Sequence, residues 1–268
     1  MRHRISKMDV SDEIVIAILA KDKAHVLPYF LQAILNQTYP KSKLHLYIRT
    51  NDNTDSTTTV LEEFISRHAD DYASVYYNSD SISATLTQYS QHEWNYERFK
   101  ILGKIRQESI DHARLLNAHY FVVDCDNFIS STCLAEMFSM RGLGVVAPLL
   151  RSKTAYSNYH YSVTETGYYK ENPAYFTILR NEMRGCFEVA VVHCTYFISK
   201  NVLQEVSYDD ESARYEYVIF SDVLRRKNIP QYIDNRHEYG SLTFAETREE
   251  FLQESGLHSC LIQNPQPE

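Results

Sequence analysis

The chain is poor in glycine, has no ordered cysteine pattern, and contains no long apolar run. It carries seven glycines in 268 residues, and no G-x-G-x-x-G follows its first strand-like segment. A dinucleotide-binding reading loses most of its weight there, because that turn needs glycine for close backbone approach to a pyrophosphate. The five cysteines (Cys125, Cys133, Cys186, Cys194 and Cys260) are odd in number and lack C-x-x-C spacing. That argues against a structural zinc module and for a reduced, intracellular protein. No apolar run approaches the roughly 20 residues that span a bilayer. Residues 1–12 are polar and contain no signal-peptide core, so no membrane span and a cytoplasmic setting are expected. Basic charge is also short, with 27 Lys and Arg against 35 Asp and Glu and a net charge of −8. Nucleic acid is therefore not expected as a partner, since backbone binding needs a basic face.

What remains is an ordinary globular composition, 44% hydrophobic and 23% charged, long enough for a sizeable core. Tyrosine is abundant at 21 copies. Its ring suits wet, half-buried surfaces that stack sugars, although plain strand filler accounts equally well for most copies.

The pattern predicts alternating strands and helices. Ile14 to Leu19 (IVIAIL) reads as a strand covered on both faces. Val26 to Leu35 has helical spacing, Leu44 to Ile48 reads as a strand, and a helix is expected over Thr57 to Phe64, capped by Asp55 or Ser56. Ser74 to Tyr77 suggests a third strand, Ser79 to Trp94 a loop, and Tyr96 to Asn117 a long helix. Tyr120 to Val123 and Val145 to Pro148 are further strands, and Ala155 to Phe187 is aromatic, polar and irregular. Val189 to Ile198 contains two strand-like pieces, Tyr215 to Arg226 is helical, and Gln231 to Ile233 is a last strand. This alternation implies an α/β fold with a mostly parallel sheet of Rossmann type, flanked by helices. The expected division is a polar segment over 1–12, one domain over 13–245, and a C-terminal helix and tail over 246–268, disordered after Asn264.

The sharpest chemical feature is Asp124-Cys125-Asp126, placed where a buried strand ends. Ligands of open α/β sheets bind at that edge. Hard cations such as Mn²⁺ or Mg²⁺ take oxygen ligands and keep phosphate oxygens in their shell, so two carboxylates here could hold an ion against a diphosphate. A bare D-x-D also occurs often in turns. His237, just past the last strand, is a third candidate ligand. Asn51, Asp52, Asn53 and Asp55 could recognise a nucleoside or simply form an Asx turn feeding a helix. Lys104 or Arg106 could reach a diphosphate, or belong to a solvated helix face. His193 could be a ligand, an acceptor contact or a core histidine. Glu216 and Asp222 are candidates for the general base that an inverting transfer requires.

Several segments then go beyond composition. AILAKDKAHVLPYFLQAI, TNDNTDSTTTVLEEF, KIRQESIDHARLLNAHYFVVDCDNFI, APLLRSKTAYSNYHYSVTETGYYKENPAY, RGCFEVAVVHCTYFIS and NRHEYG resemble, in order and spacing from about Ile14 to Gly240, the collagen glycosyltransferases of family 25. The resemblance implies a GT-A glycosyltransferase fold, a UDP-sugar donor and Mn²⁺ dependence. It also implies an acceptor that is hydroxylysine, or galactosyl-hydroxylysine, in collagen-like polypeptide. It places Asp124 and Asp126 on the family's metal motif, with Asn51, Asp52 and Asp55 on its polar turn and Lys104, Arg106 and Gln107 on its long helix. Ala20, Lys21 and Cys125 complete the expected donor-binding set. Tyr156, Asn158, Tyr168, Tyr169, Arg184 and His193 are expected to line the sugar and acceptor pocket. The resemblance departs at His237, where the animal galactosyltransferases carry Glu. That departure favours UDP-glucose over UDP-galactose as donor, with transfer to hydroxylysine itself, or a lipopolysaccharide-type reaction, as alternatives. The animal enzymes carry further modules and a lumenal signal, so a stand-alone viral or microbial version, paired as a homodimer, is the expectation.

Overall fold

The structure is a computed structural model that describes residues 12–82, 96–212, 214–254 and 256–258. Its first half alternates as the apolar pattern requires: β1 (Ile14–Ala20), α1 (Leu27–Leu35), β2 (Leu44–Thr50), α2 (Thr57–His68), β3 (Ser74–Asn78), α3 (Tyr96–Leu115) and β4 (His119–Val123). Then come β5 (Asn127–Ile129), α4 (Cys133–Ser139), β6 (Val145–Pro148), β7 (Tyr159–His160), β8 (Ser162–Val163), β9 (Tyr169–Lys170) and α5 (Pro173–Leu179). The remainder is β10 (Cys186–Val189), β11 (Val191–Val192), β12 (Thr195–Ile198), α6 (Lys200–Leu203), α7 (Glu216–Arg226), β13 (Gln231–Asp234), β14 (Gly240–Leu242) and α8 (Arg248–Gln253).

Eight strands form one sheet in the order β10-β13-β6-β12-β4-β1-β2-β3. Its pairings are parallel except those of β12 with β4 and β6 and of β10 with β13. Every residue of β2 and β4 is buried, as is nearly all of β1. Continuous apolar strands of this kind need cover on both faces, and alternate side chains serve opposite layers. Ile14, Ile16 and Ile18 join Phe30, Leu61 and Leu134 from α1, α2 and α4. Val15 and Ala17 join Ile110, Ala113, Phe220 and Leu224 from α3 and α7.

The stretch 155–187, expected to be irregular, holds β7, β8, β9 and α5. Two-residue strands are too short to show periodicity. The start of α5 does follow capping chemistry: the Asn172 side chain accepts the Ala174 N–H at 3.0 Å, and Pro173 opens the helix. The strand β5, unexpected from the pattern, directly follows Asp126 and pairs antiparallel with β14, which brings the late chain back beside the carboxylates. Of the expected loop at 79–94 only residues 79–82 are described, and the tail after Asn264 lies outside the described residues. Among the described residues no helix is long and apolar enough to cross a membrane.

Candidate active site

The C-terminal ends of β1 and β2 lie side by side, with Ala20 opposite Thr50, and their loops are tied together. Lys21 Nζ donates to the Asp52 carbonyl at 2.6 Å. The Asp22 N–H donates to Asn53 Oδ1 at 2.9 Å, and Asp22 Oδ1 accepts the Thr54 N–H at 2.6 Å. The N–H groups of Lys23 and Ala24 bond Thr57 Oγ1 and Asp55 Oδ2. Asp55 Oδ1 also accepts the Thr57 N–H, so this carboxylate, one residue before the Ser56 cap position, ties the first turn of α2 to the neighbouring loop. Burial works to raise the Asp52 carboxyl, but bonds from Ser81, Asn51 and the Ile82 N–H outweigh it and hold the pKa low.

On the other side of β1, β4 ends at Asp124. Arg106 of α3 sends one nitrogen, Nη2, to both Asp124 oxygens at 2.9 and 3.0 Å, while its Nε lies 3.7 Å from Glu216 Oε1 at the start of α7. Arg106 and Glu216 are each only 5% exposed. Burial pushes the carboxyl groups of Asp124 and Glu216 upward, against the pull of Arg106. Gly103, one turn before Arg106, lets α3 approach α7, since a Cβ there would lie 3.3 Å from the Tyr208 carbonyl and 3.5 Å from Glu216 Cβ. Asp126 is a third exposed and pairs with Lys23 Nζ at 2.9 Å. Desolvation disfavours the Lys23 charge, yet Asp126 keeps its pKa above the ordinary value.

A wall of rings stands beside the carboxylates. The Asp124 N–H donates to the carbonyl of Cys194 at 3.1 Å, a residue held at φ 62°. Its neighbour His193 is buried and contacts the Tyr156 hydroxyl at 3.5 Å through Nδ1. His193 also meets His160 and Tyr217, and Tyr217 leads through Tyr215 to Tyr168 and Phe99. Phe244, 59% exposed, packs edge-on against Tyr156 at 5.2 Å. It follows Thr243, whose N–H donates to the Asp126 carbonyl at 2.9 Å.

Other expected site residues lie elsewhere. His237 is exposed beside Tyr239, and among the described residues no group of three His, Cys, Asp or Glu side chains is gathered to hold a metal. The expected Asp124, Asp126 and His237 shell is thus not assembled: the chain leaves β13, passes His237, and returns to the carboxylates only at Thr243. Asp222 is held by Arg214, Arg225 and Arg226. Burial opposes ionisation there, but bonds from Arg226 and Arg214 win and keep its carboxyl low, which makes it a poor proton acceptor. Asn158 is fully buried, and its amide bonds the backbone of Pro148, Leu150 and Thr195. Cys125 points into the core, and burial drives its thiol far above the ordinary range. Lys104 projects to solvent beside Glu108, and Arg184 is exposed before β10. Tyr169 packs on His160.

Lys23 and Phe244 are site neighbours that the residue pattern did not single out. The Lys21-Asp22-Lys23 run held a signal for the first, because its two lysines fall at the end of a buried strand. Phe244 had none, since only the pairing of β14 with β5 carries it to the carboxylates. Asp124 and Asp126 are hard oxygen donors and both reach solvent. They fit a divalent cation that draws the rest of its shell from water or phosphate.

The family model for the N-terminal domain of glycosyltransferase family 25 matches residues 11–260. Procollagen galactosyltransferase 1 of Danio rerio is 31% identical over 96% of this chain and 45% of its own length. Inactive glycosyltransferase 25 family member 3 of Homo sapiens is 30% identical over 85% of this chain and 40% of its own length. The chain therefore spans less than half of these relatives. In fold it is similar to S. aureus TarS residues 1–349 in complex with UDP, with a TM-score of 0.55, 14% identity, and coverage of 96% of this chain and 67% of that one. It is also similar to the mannosyltransferase PcManGT of Pyrobaculum calidifontis in complex with GDP-Man and Mn²⁺, with a TM-score of 0.52, 12% identity, and coverage of 87% and 56%. The sheet and its flanking helices are those of a GT-A glycosyltransferase.

Proposed function

Because the chain belongs to glycosyltransferase family 25, we propose that it transfers a hexose from a UDP-sugar to a collagen-like polypeptide, with glucose as the sugar and galactosyl-hydroxylysine as the acceptor. The observation that carries this reading is the acidic corner at the sheet edge, where Arg106 grips Asp124 and Lys23 grips Asp126. A divalent cation such as Mn²⁺, when held by Asp124 and Asp126, would supply Lewis-acid neutralisation of the departing diphosphate.

The chain's own residues prepare that corner. Arg106 orients Asp124 and offsets its charge, and Glu216 in turn fixes Arg106, which makes Glu216 a positioning residue. The interlocked loops with Lys21, Asn51 and Asp52 form the nucleoside side of the cleft. Tyr156, His193, Tyr168 and Phe244 form the acceptor side. Glucose is favoured because neither nominated base is well placed to take a proton from an acceptor: Glu216 is buried behind Arg106, and Asp222 is held among three arginines. Retention with transfer of α-glucose has no strict need for a base, whereas inversion with transfer of β-galactose does. A second reading, galactose onto hydroxylysine, draws support from the names of the relatives.

The test incubates the protein with Mn²⁺ and each UDP-hexose, with hydroxylysine or galactosyl-hydroxylysine peptide, and weighs the product. One added hexose from UDP-glucose on the galactosylated peptide is expected. Product only from UDP-galactose on bare hydroxylysine selects the second reading. UDP release that is equal with and without acceptor sinks both.

A further inference from the structure

Beyond the acidic corner, the structure holds a cavity of about 440 Å³ lined in part by Arg151, Ala155, Phe176, Leu179 and Arg180. Its volume lies in the range of ligand pockets, roughly 300–1,000 Å³. Arg151 comes just after β6, and its backbone is bridged to Ser241 of β14. Among the described residues its side chain has no ion pair or hydrogen bond. Arg180, at the end of α5, lies over the Phe176 ring at 5.4 Å, and its carboxylate neighbour among the described residues, Glu182, is 3.9 Å away with both partners more than half exposed. Such a pair contributes little. Two arginines thus line the same cavity as apolar Phe176 and Leu179, in a chain whose net charge is −8. The cavity adjoins the acceptor side directly: Ala155 precedes Tyr156 in sequence, and its carbonyl accepts the Tyr175 hydroxyl at 2.7 Å.

The geometry points to this cavity as a subsite for an acidic side chain of the acceptor polypeptide, a Glu or Asp flanking the residue that receives the sugar. This inference rests on the reading of the chain as a transferase with a polypeptide acceptor. A carboxylate meets a guanidinium in paired, charge-assisted bonds, and the Phe176 and Leu179 surface covers the methylene stem that leads to it. An aliphatic stem with an anionic tip matches both features, whereas a bare anion leaves the apolar wall unused.

The experiment measures binding of two galactosyl-hydroxylysine peptides without donor, identical except for Glu or Gln beside the modified residue. The wild-type protein should bind the Glu peptide about tenfold more tightly at low salt, the size of one charge-assisted contact, and the gap should shrink at high salt. In the double variant Arg151→Gln/Arg180→Gln the preference should vanish with UDP-sugar binding unchanged. Arg180→Glu should favour a Lys peptide instead. If the double variant does not fold, Arg180→Gln alone, at an exposed position, should still narrow the gap. Equal wild-type affinity for both peptides, a preference that survives the substitutions, or tighter binding of a phosphorylated glycolipid than of the Glu peptide would overturn the subsite. Charge-selective peptide binding without any sugar transfer would leave the subsite standing and remove the transferase reading.

Discussion

The loops after β1 and β2 satisfy one another: Asp22 with Asn53 and Thr54, Lys23 with Thr57, Ala24 with Asp55. The opposite wall does not. Among the described residues, His160 Nδ1, His193 Nε2, Arg106 Nη1 and Glu216 Oε2 are buried and find no hydrogen-bond partner, although such groups are costly to leave unpaired. The side proposed to hold the nucleoside is therefore organised by its own hydrogen bonds. The ring-lined wall and the arginine behind the acidic corner retain bonding capacity for something else. In the proposed division of the cleft, the donor meets a rigid cradle and the acceptor meets rings and unpaired polar atoms.

Four experiments break or sharpen this contrast. Asp126→Ala strikes the corner that both sides share. It should lower transfer about a thousandfold, the scale of lost charge stabilisation at a leaving group, with unchanged circular dichroism, and wild-type turnover would remove Asp126 from the proposed metal site. Arg106→Ala should be the most damaging to stability, because it strands the buried Glu216 and the half-buried Asp124. A loss of about 3–5 kcal/mol in chemical denaturation is expected, and a loss below 1 kcal/mol would show that Arg106 is not the clamp described here.

Asn53→Ala tests the cradle and should cost about 1–2 kcal/mol. It should raise the donor KM more than it lowers kcat, and an acceptor-only effect would contradict the division of the cleft. The smallest effect concerns His160. Burial lowers its pKa from 6.5 to about 4, so the unfolded chain binds its proton first. Stability should fall as pH drops from about 6.5 towards 4. His160→Gln should flatten that part of the melting profile, and an unchanged slope would assign the acid sensitivity to other groups.

The legible parts of the molecule were those with local causes. The strand Ile14–Ala20, the helix Tyr96–Leu115 and the strand His119–Val123 follow from uninterrupted apolar or helical spacing. The bond from the Thr57 N–H to Asp55 follows from the two-residue spacing of an Asx turn. His237, a residue just past a strand at the sheet's C-terminal edge, was expected to join the aspartates, but it lies exposed beside Tyr239. Glu216 and Asp222 are six residues apart on one helix but meet different partners, Arg106 and an arginine cluster, and nothing in their spacing announces which.

By itself the sequence determined the α/β alternation, the family, and the position of two aspartates at the end of a buried strand, because periodicity, capping and motif order are properties of neighbouring residues. Tertiary structure alone decided that Lys23 and Arg106 hold those aspartates, that Thr243 rather than His237 meets the Asp126 backbone, and that Asn158 is scaffold. Those outcomes depend on long-range pairings such as β14 with β5 and α3 against α7, which join residues about a hundred positions apart and leave no periodic trace in the chain.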